Sequence, residues 1–164
     1  MVEVFSDRIE INNPGAPLVD TDRFLDSPPK SRNEVMASLM RRIGICEERG
    51  SGIDKVVSEV EAHQLPAPKF EAVGEATRVF LYSEQPLNKM TKQDRVRAVY
   101  LHACLRYVQN DFMTNTTLRD RFGIEEHNRS KASRLIKEAL GENAIRPHDP
   151  TAAPRMMRYL PNWD

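Results

Sequence analysis

The chain has 164 residues, 40% of them hydrophobic and 29% charged, which suits one ordinary domain or two small ones with a packed core and excludes wholesale disorder. The formal net charge is zero, but residues 1–88 carry 10 Lys/Arg against 15 Asp/Glu and residues 89–164 carry 14 against 9, so the second half is the one suited to nucleic acid. There is no apolar run of membrane-spanning length, no secretory signal, and no zinc-ligand spacing around Cys46 and Cys104, so the expected setting is reducing and cytoplasmic.

In chain order, Val2 and Val4, then Ile9 and Ile11, alternate with polar residues, which predicts two half-buried strands joined at Ser6-Asp7. Asn13-Pro14-Gly15 is a turn, and a proline-bearing irregular loop follows to about residue 30. A helix is predicted from Asn33 to Ile43 on the stripe Val35, Met36, Leu39, Met40 and Ile43, closed by Gly44. Gly50-Ser51-Gly52 precedes a second helix with Ile53, Val56, Val57 and Val60 at helical spacing, and Leu65-Pro66-Ala67-Pro68 stops it. Phe70–Val73 and Thr77–Tyr82 predict a strand pair around Gly74. Residues 1–84 thus form an α+β unit, and 85–90 a polar linker with a proline.

Residues 91–164 begin with Thr91-Lys92-Gln93-Asp94, a capping pattern, and a helix whose apolar stripe is Val96, Val99, Tyr100, Ala103, Cys104 and Tyr107. A short helix from Thr114-Asn115 carries Leu118 and Phe122 on one face, with Gly123 placed to end it. A third helix from about Asn128 to Leu140 has the apolar stripe Ala132, Leu135, Ile136, Ala139 and Leu140. Opposite that stripe lie Ser130, Lys131, Arg134 and Lys137, with Glu138 the one acid among them. Most charged helix faces are simply solvated; two neighbouring features favour a DNA reader here. The helix–Gly–helix layout from Leu118 to Ile136 is that of a helix-turn-helix, with a turn about three residues longer than the compact form. Ala144-Ile145-Arg146 and Arg155–Leu160 then read as two strands around a polar turn, which is a wing. The full expectation is a winged helix on duplex DNA, with Ser130, Lys131, Arg134 and Lys137 in the major groove and Arg129, Arg155 and Arg158 on phosphates.

Certain ordered motifs carry a family resemblance. They are Val4-Phe5-Ser6-Asp7-Arg8-Ile9-Glu10-Ile11, Asn13-Pro14-Gly15, Ser31-Arg32-Asn33, Glu47 with Gly50-Ser51-Gly52-Ile53, and Leu65-Pro66-Ala67-Pro68-Lys69-Phe70. The chain resembles the C-terminal part of bacterial RecG-like, ATP-dependent-helicase-related proteins and transcriptional regulators. Residues 113–124 and 158–164 are similar to that family's winged-helix tail. The resemblance implies a partial GHKL-like domain followed by a winged helix. It places Asn13 and Gly15, and Gly50, Ser51 and Gly52, at two glycine boxes of a nucleotide site. The chain departs from the family at Arg32-Asn33-Glu34, where Arg-Asn-Pro is usual, and at Gln64-Leu65-Pro66, where Gly-Leu-Pro is usual. The family's Asn-bearing helix upstream of the first strand is absent, so the expectation is a fragment without ATPase activity. No cofactor is expected in it, and ATP with magnesium stays open as an option for a full-length protein.

Helicase chemistry is set aside, because GxxxxGK[ST] does not occur. Gly50-Ser51-Gly52 is either a phosphate cradle or a tight turn needing positive φ. The histidines are scattered, Glu47-Glu48 point about 100° apart on a helix, and no catalytic or metal-binding residues are assigned. Tyr159 and Trp163 are expected to pack the terminal strand. The function expected from the residues together with the resemblance is a DNA-binding transcriptional regulator, and a homodimer is the general expectation for winged-helix regulators. The alternative is a nucleotide-sensing or protein-interaction module that uses the winged helix for dimerisation or docking.

Overall fold

The computed structural model describes residues 1–45 and 52–163. Cys46, Glu47, Glu48, Gly50 and Ser51 lie outside the described residues, and so does Asp164. The protein is a mixed α+β fold.

Four strands form one antiparallel sheet: β1 (Val2–Val4), β2 (Arg8–Pro14), β3 (Lys69–Val73) and β4 (Ala76–Tyr82), in the order β1-β2-β4-β3. Val4 faces Ile9 and Val2 faces Ile11 across the first pair, but the predicted half-burial of β1 does not hold: on this edge strand Val2 and Val4 are both exposed. Strand β2 runs to Pro14, which pairs with Ala76, so the predicted turn begins later than the Asn13-Pro14 signal suggests.

Helix α1 (Glu34–Arg42) starts on an Asn33 cap whose Oδ1 accepts from the Met36 N–H at 2.9 Å. Its apolar stripe does not enter a core. Val35, Met36, Leu39 and Ile43 are all exposed, Val35 at 83%. Helix α2 (Gly52–Ala62) instead buries Val57.

Helix α3 (Lys92–Val108) organises the rest of the fold. A one-sided stripe was expected, but residues 98–105 are buried nearly all round, because two cores flank the helix. Val99 and Ala103 pack with Met113, Leu118, Ala132 and Ala139 in one cluster. Ala98, Leu101, Cys104 and Leu105 pack with Leu25, Val57 and Ala67 of the first unit in the other. Tyr107, placed on the stripe by spacing, is 43% exposed and meets Trp163 edge to face at 4.7 Å. Burial pushes the Cys104 thiol up to about 12, which makes it an inert packing group.

The start of α3 is a reciprocal capping box between Thr91 and Asp94, as its sequence predicts. Burial raises the Asp94 carboxyl, but hydrogen bonds from Thr91 and Arg97 and the Arg97 charge outweigh it, so the group titrates below the usual carboxylate value. A carboxyl depressed in the folded state contributes stability that is present above its unfolded pKa and is lost as pH falls through the folded one. Asp94→Asn should therefore lower stability at neutral pH and flatten its acid dependence below about pH 4. Urea midpoints measured from pH 2 to pH 7 check this.

Helices α4 (Asn115–Phe122) and α5 (Arg129–Gly141) follow, then a hairpin of β5 (Ile145–Pro147) and β6 (Tyr159–Pro161). Met113 bridges to Tyr159, which ties the segment before α4 to the hairpin. The returning strand is shorter than predicted. Pro154–Met156 is a 3-10 turn, so Arg155 precedes the strand instead of lying in it.

Candidate nucleic-acid interface

The outer face of α5 is built by its 3.6-residue period. Ala132, Leu135, Ile136 and Ala139 point into the core and are all buried. Ser130, Lys131, Arg134 and Lys137 are consequently turned outward and exposed, and so is Arg129. No acidic partner is found for these four cations among the described residues. Glu138 does have one: its carboxylate takes a two-pronged contact from Arg95 on α3, at 2.9 and 3.0 Å. The one acid expected on this face is thus neutralised from the side, leaving the cations unopposed.

Two grooves flank that ridge. One, of about 690 Å³, lies between the starts of α4 and α5 and the segment before β6. Arg129, Ser130, Arg155 and Arg158 all line it. The other, of about 500 Å³, is lined by Lys131 and Arg134 beside Arg95 and Glu138. Lys137 lines neither. Arg158 is also anchored, its guanidinium 5.3 Å from the centre of the Phe112 ring, whose neighbour His148 lies 4.6 Å away, centre to centre.

Two residues of this surface were not singled out in the sequence. Asn115, first in α4, donates to Ser133 Oγ at 3.1 Å and to the Arg129 carbonyl at 3.3 Å, and so fixes the start of α5. Arg119, one turn on, lines the first groove and pairs with Glu126 at 3.0 Å. Their i, i+4 spacing on the polar side of α4 was the available signal.

The turn after α4 is tight against the first unit. Gly123 sits at φ +60°, and a Cβ there would lie 2.7 Å from Gln64 Oε1, so the residue serves both the left-handed turn and a close approach.

The residues assigned to nucleotide are less favourably placed. Asn13 pairs with Thr77 inside the sheet. Gly15 (φ +103°) gives its N–H to the Glu75 carbonyl, and its own carbonyl accepts from Thr77 Oγ1 at 3.0 Å. Arg32 packs over the open side of Gly15, where a Cβ would lie 3.2 Å from its Nη2. Both residues line a cleft of about 430 Å³ that Ile53 reaches and Gly52, the first residue of α2, does not. Gly50 and Ser51 fall outside the described residues. The one N–H of Gly15 is already engaged by Glu75, so this turn has no free Gly15 amide to offer a phosphate. The described residues contain no group of three or more His, Cys, Asp or Glu arranged to hold a metal. No helix among them is long and apolar enough to cross a membrane.

These features belong to a mixed α+β protein whose second half is three helices and a hairpin. Residues 1–81 match the family model described as "Putative ATP-dependent DNA helicase recG C-terminal". No curated protein matches the chain. Among solved structures, the chain is similar to the DIP2311 protein from Corynebacterium diphtheriae, at 18% identity and a TM-score of 0.46. The match covers 94% of this chain and 33% of that one, so the chain spans about a third of the solved protein.

Proposed function

We propose that the chain is the DNA-binding part of a bacterial transcriptional regulator, with residues 91–163 acting as a winged helix on duplex DNA. The observation that carries this reading is the exposed cationic ridge of α5, unopposed by acids among the described residues and backed by the buried Ala132, Leu135, Ile136 and Ala139. A helix presented this way fits the major groove, where Arg134 reaches base edges and Ser130 allows close approach. Arg129, Arg155 and Arg158, gathered around one groove, serve the adjoining phosphates. The family's link to DNA helicases agrees with a DNA partner. A cytoplasmic setting and a symmetric dimer complete the proposal, since two-fold sites favour paired readers.

A protein-interaction role for the first unit has one observation in its favour, the uncovered apolar stripe of α1. It is compatible with DNA binding by the second half.

Fluorescence anisotropy with a labelled random duplex tests the reading. Affinity should fall steeply between 50 and 200 mM salt, and Arg134→Ala should cost about 1–3 kcal/mol on a selected site. If Arg134→Ala changes neither affinity nor sequence preference, α5 is not the reader.

A further inference from the structure

A buried ionic cluster joins the two units at the base of the candidate interface. Glu61, near the end of α2, places Oε2 2.8 Å from His102 Nδ1 on α3 and Oε1 3.4 Å from Arg121 Nε on α4. The side chains of His102 and Arg121 are 2% and 1% exposed. Arg121 Nη2 donates to the Leu65 carbonyl at 2.6 Å, while its Nε and Nη1 have no hydrogen-bond partner among the described residues. Both polar anchors of this buried guanidinium among the described residues therefore come from the first unit, while the centre of the Phe122 ring of α4 lies 5.0 Å from it. A third contact of that unit falls on the same end of α4, where Gln64 fills the space left by Gly123. The other end of α4 holds α5 through Asn115. His102 adds a link to the α4 capping box, with Nε2 3.1 Å from Thr117 Oγ1.

We propose that Glu61 is a positioning residue through which the first unit sets α4, and with it the DNA-facing helix α5, so that DNA affinity depends on residues outside the DNA-facing surface. The proposal rests on the DNA-binding reading above. The physical basis is that the buried Arg121 guanidinium, whose Nη1 is left without a partner, has one compensating carboxylate among the described residues, and that carboxylate is delivered by another unit. An ion pair of this kind adds little net stability compared with apolar packing, but it fixes geometry, because removing either partner leaves the other charge buried and unpaired. α4 is short and tied at both ends, so a shift at Arg121 reaches Asn115 and the start of α5.

The test uses the full chain, with Glu61→Gln, Glu61→Asp and, as a control on the same helix, Glu59→Gln, whose carboxylate is exposed near His63. Affinity for a random duplex is measured well below the unfolding midpoint of the weakest variant, and amide hydrogen exchange is followed in parallel. Glu61→Gln should raise Kd about tenfold and speed exchange at Leu118–Gly123 while the β2–β4 amides stay protected. Glu61→Asp, which keeps the charge, should give a smaller rise and remains informative if the glutamine variant does not fold. Glu59→Gln should change neither readout. A folded Glu61 variant with Kd within about twofold of wild type and unchanged α4 protection overturns the proposal. If the wild-type chain has no DNA affinity, the DNA reading fails separately, and exchange at α4 alone decides the coupling.

Discussion

Replacing Arg129, Arg155 and Arg158 together with alanine should reduce affinity for any duplex by about 10² to 10³-fold at 0.1 M salt. Each phosphate contact releases condensed counterions, and each contributes about −0.9 to the slope of log K against log salt. Losing three should make that slope shallower by about 2.7, with the two lines converging near 1 M. The three arginines are exposed and line one groove, so they can engage a single stretch of backbone. Their removal also leaves the buried core untouched, since none of them belongs to it. Arg158 gives up its contact with the Phe112 ring, an exposed-site interaction worth about 0.5–1 kcal/mol, so the fold should survive. Anisotropy titrations at four salt concentrations read both quantities. A triple lysine variant should restore the slope, because counterion release counts charge and not shape. A triple alanine variant with the wild-type slope would remove this groove from the DNA path.

What was legible in the sequence was whatever one period reports. The face of α5 was readable because Ala132, Leu135, Ile136 and Ala139 recur at helical spacing, and that spacing leaves only one direction for Arg134 and Lys137. The existence of β1 and β2 followed from alternation in the same way, but the burial that alternation implies is missing from β1, whose residues are all exposed. Helix α3 departs from its predicted stripe because a periodic stripe implies one partner and the fold supplies two. Leu101 and Leu105 lie off the expected stripe and face the first unit. Helix α1 marks the opposite limit, since its stripe is as regular as that of α5 and yet stays exposed. Amphipathicity says which side wants cover and not whether cover exists. The hairpin residues show a third limit. Arg155 stands in a 3-10 turn because Pro154 fixes φ at its start, and alternation across Met156–Leu160 concealed that break. Glu61, His102 and Arg121 had no sequence signature at all, because their meeting depends on how three helices cross.

The contrast between the two kinds of stripe leads to the largest stability effect expected for a single substitution. Leu118→Ala should destabilise the protein by about 2–5 kcal/mol, while Leu39→Ala on α1 should stay within about 0.5 kcal/mol. Leu118 is fully buried and packs in the cluster formed by α3, α4 and α5, so its loss removes buried methyl groups and leaves a cavity that the surrounding helices fill only in part. Leu39 is 54% exposed and already in water over much of its surface. For a chain of this size each kcal/mol lowers Tm by about 2–4 °C, so Leu118→Ala should melt about 10 °C lower. Circular dichroism melts at fixed pH read the difference. Two outcomes would carry different meanings. Equal, small shifts for both variants would place Leu118 outside a packed core and dissolve the platform on which α5 is presented. A large shift for Leu39→Ala would mean that the α1 stripe is covered in solution, by a second copy or another partner. In that case its Tm would also rise with protein concentration or with added partner, because binding to the folded state alone stabilises it by mass action.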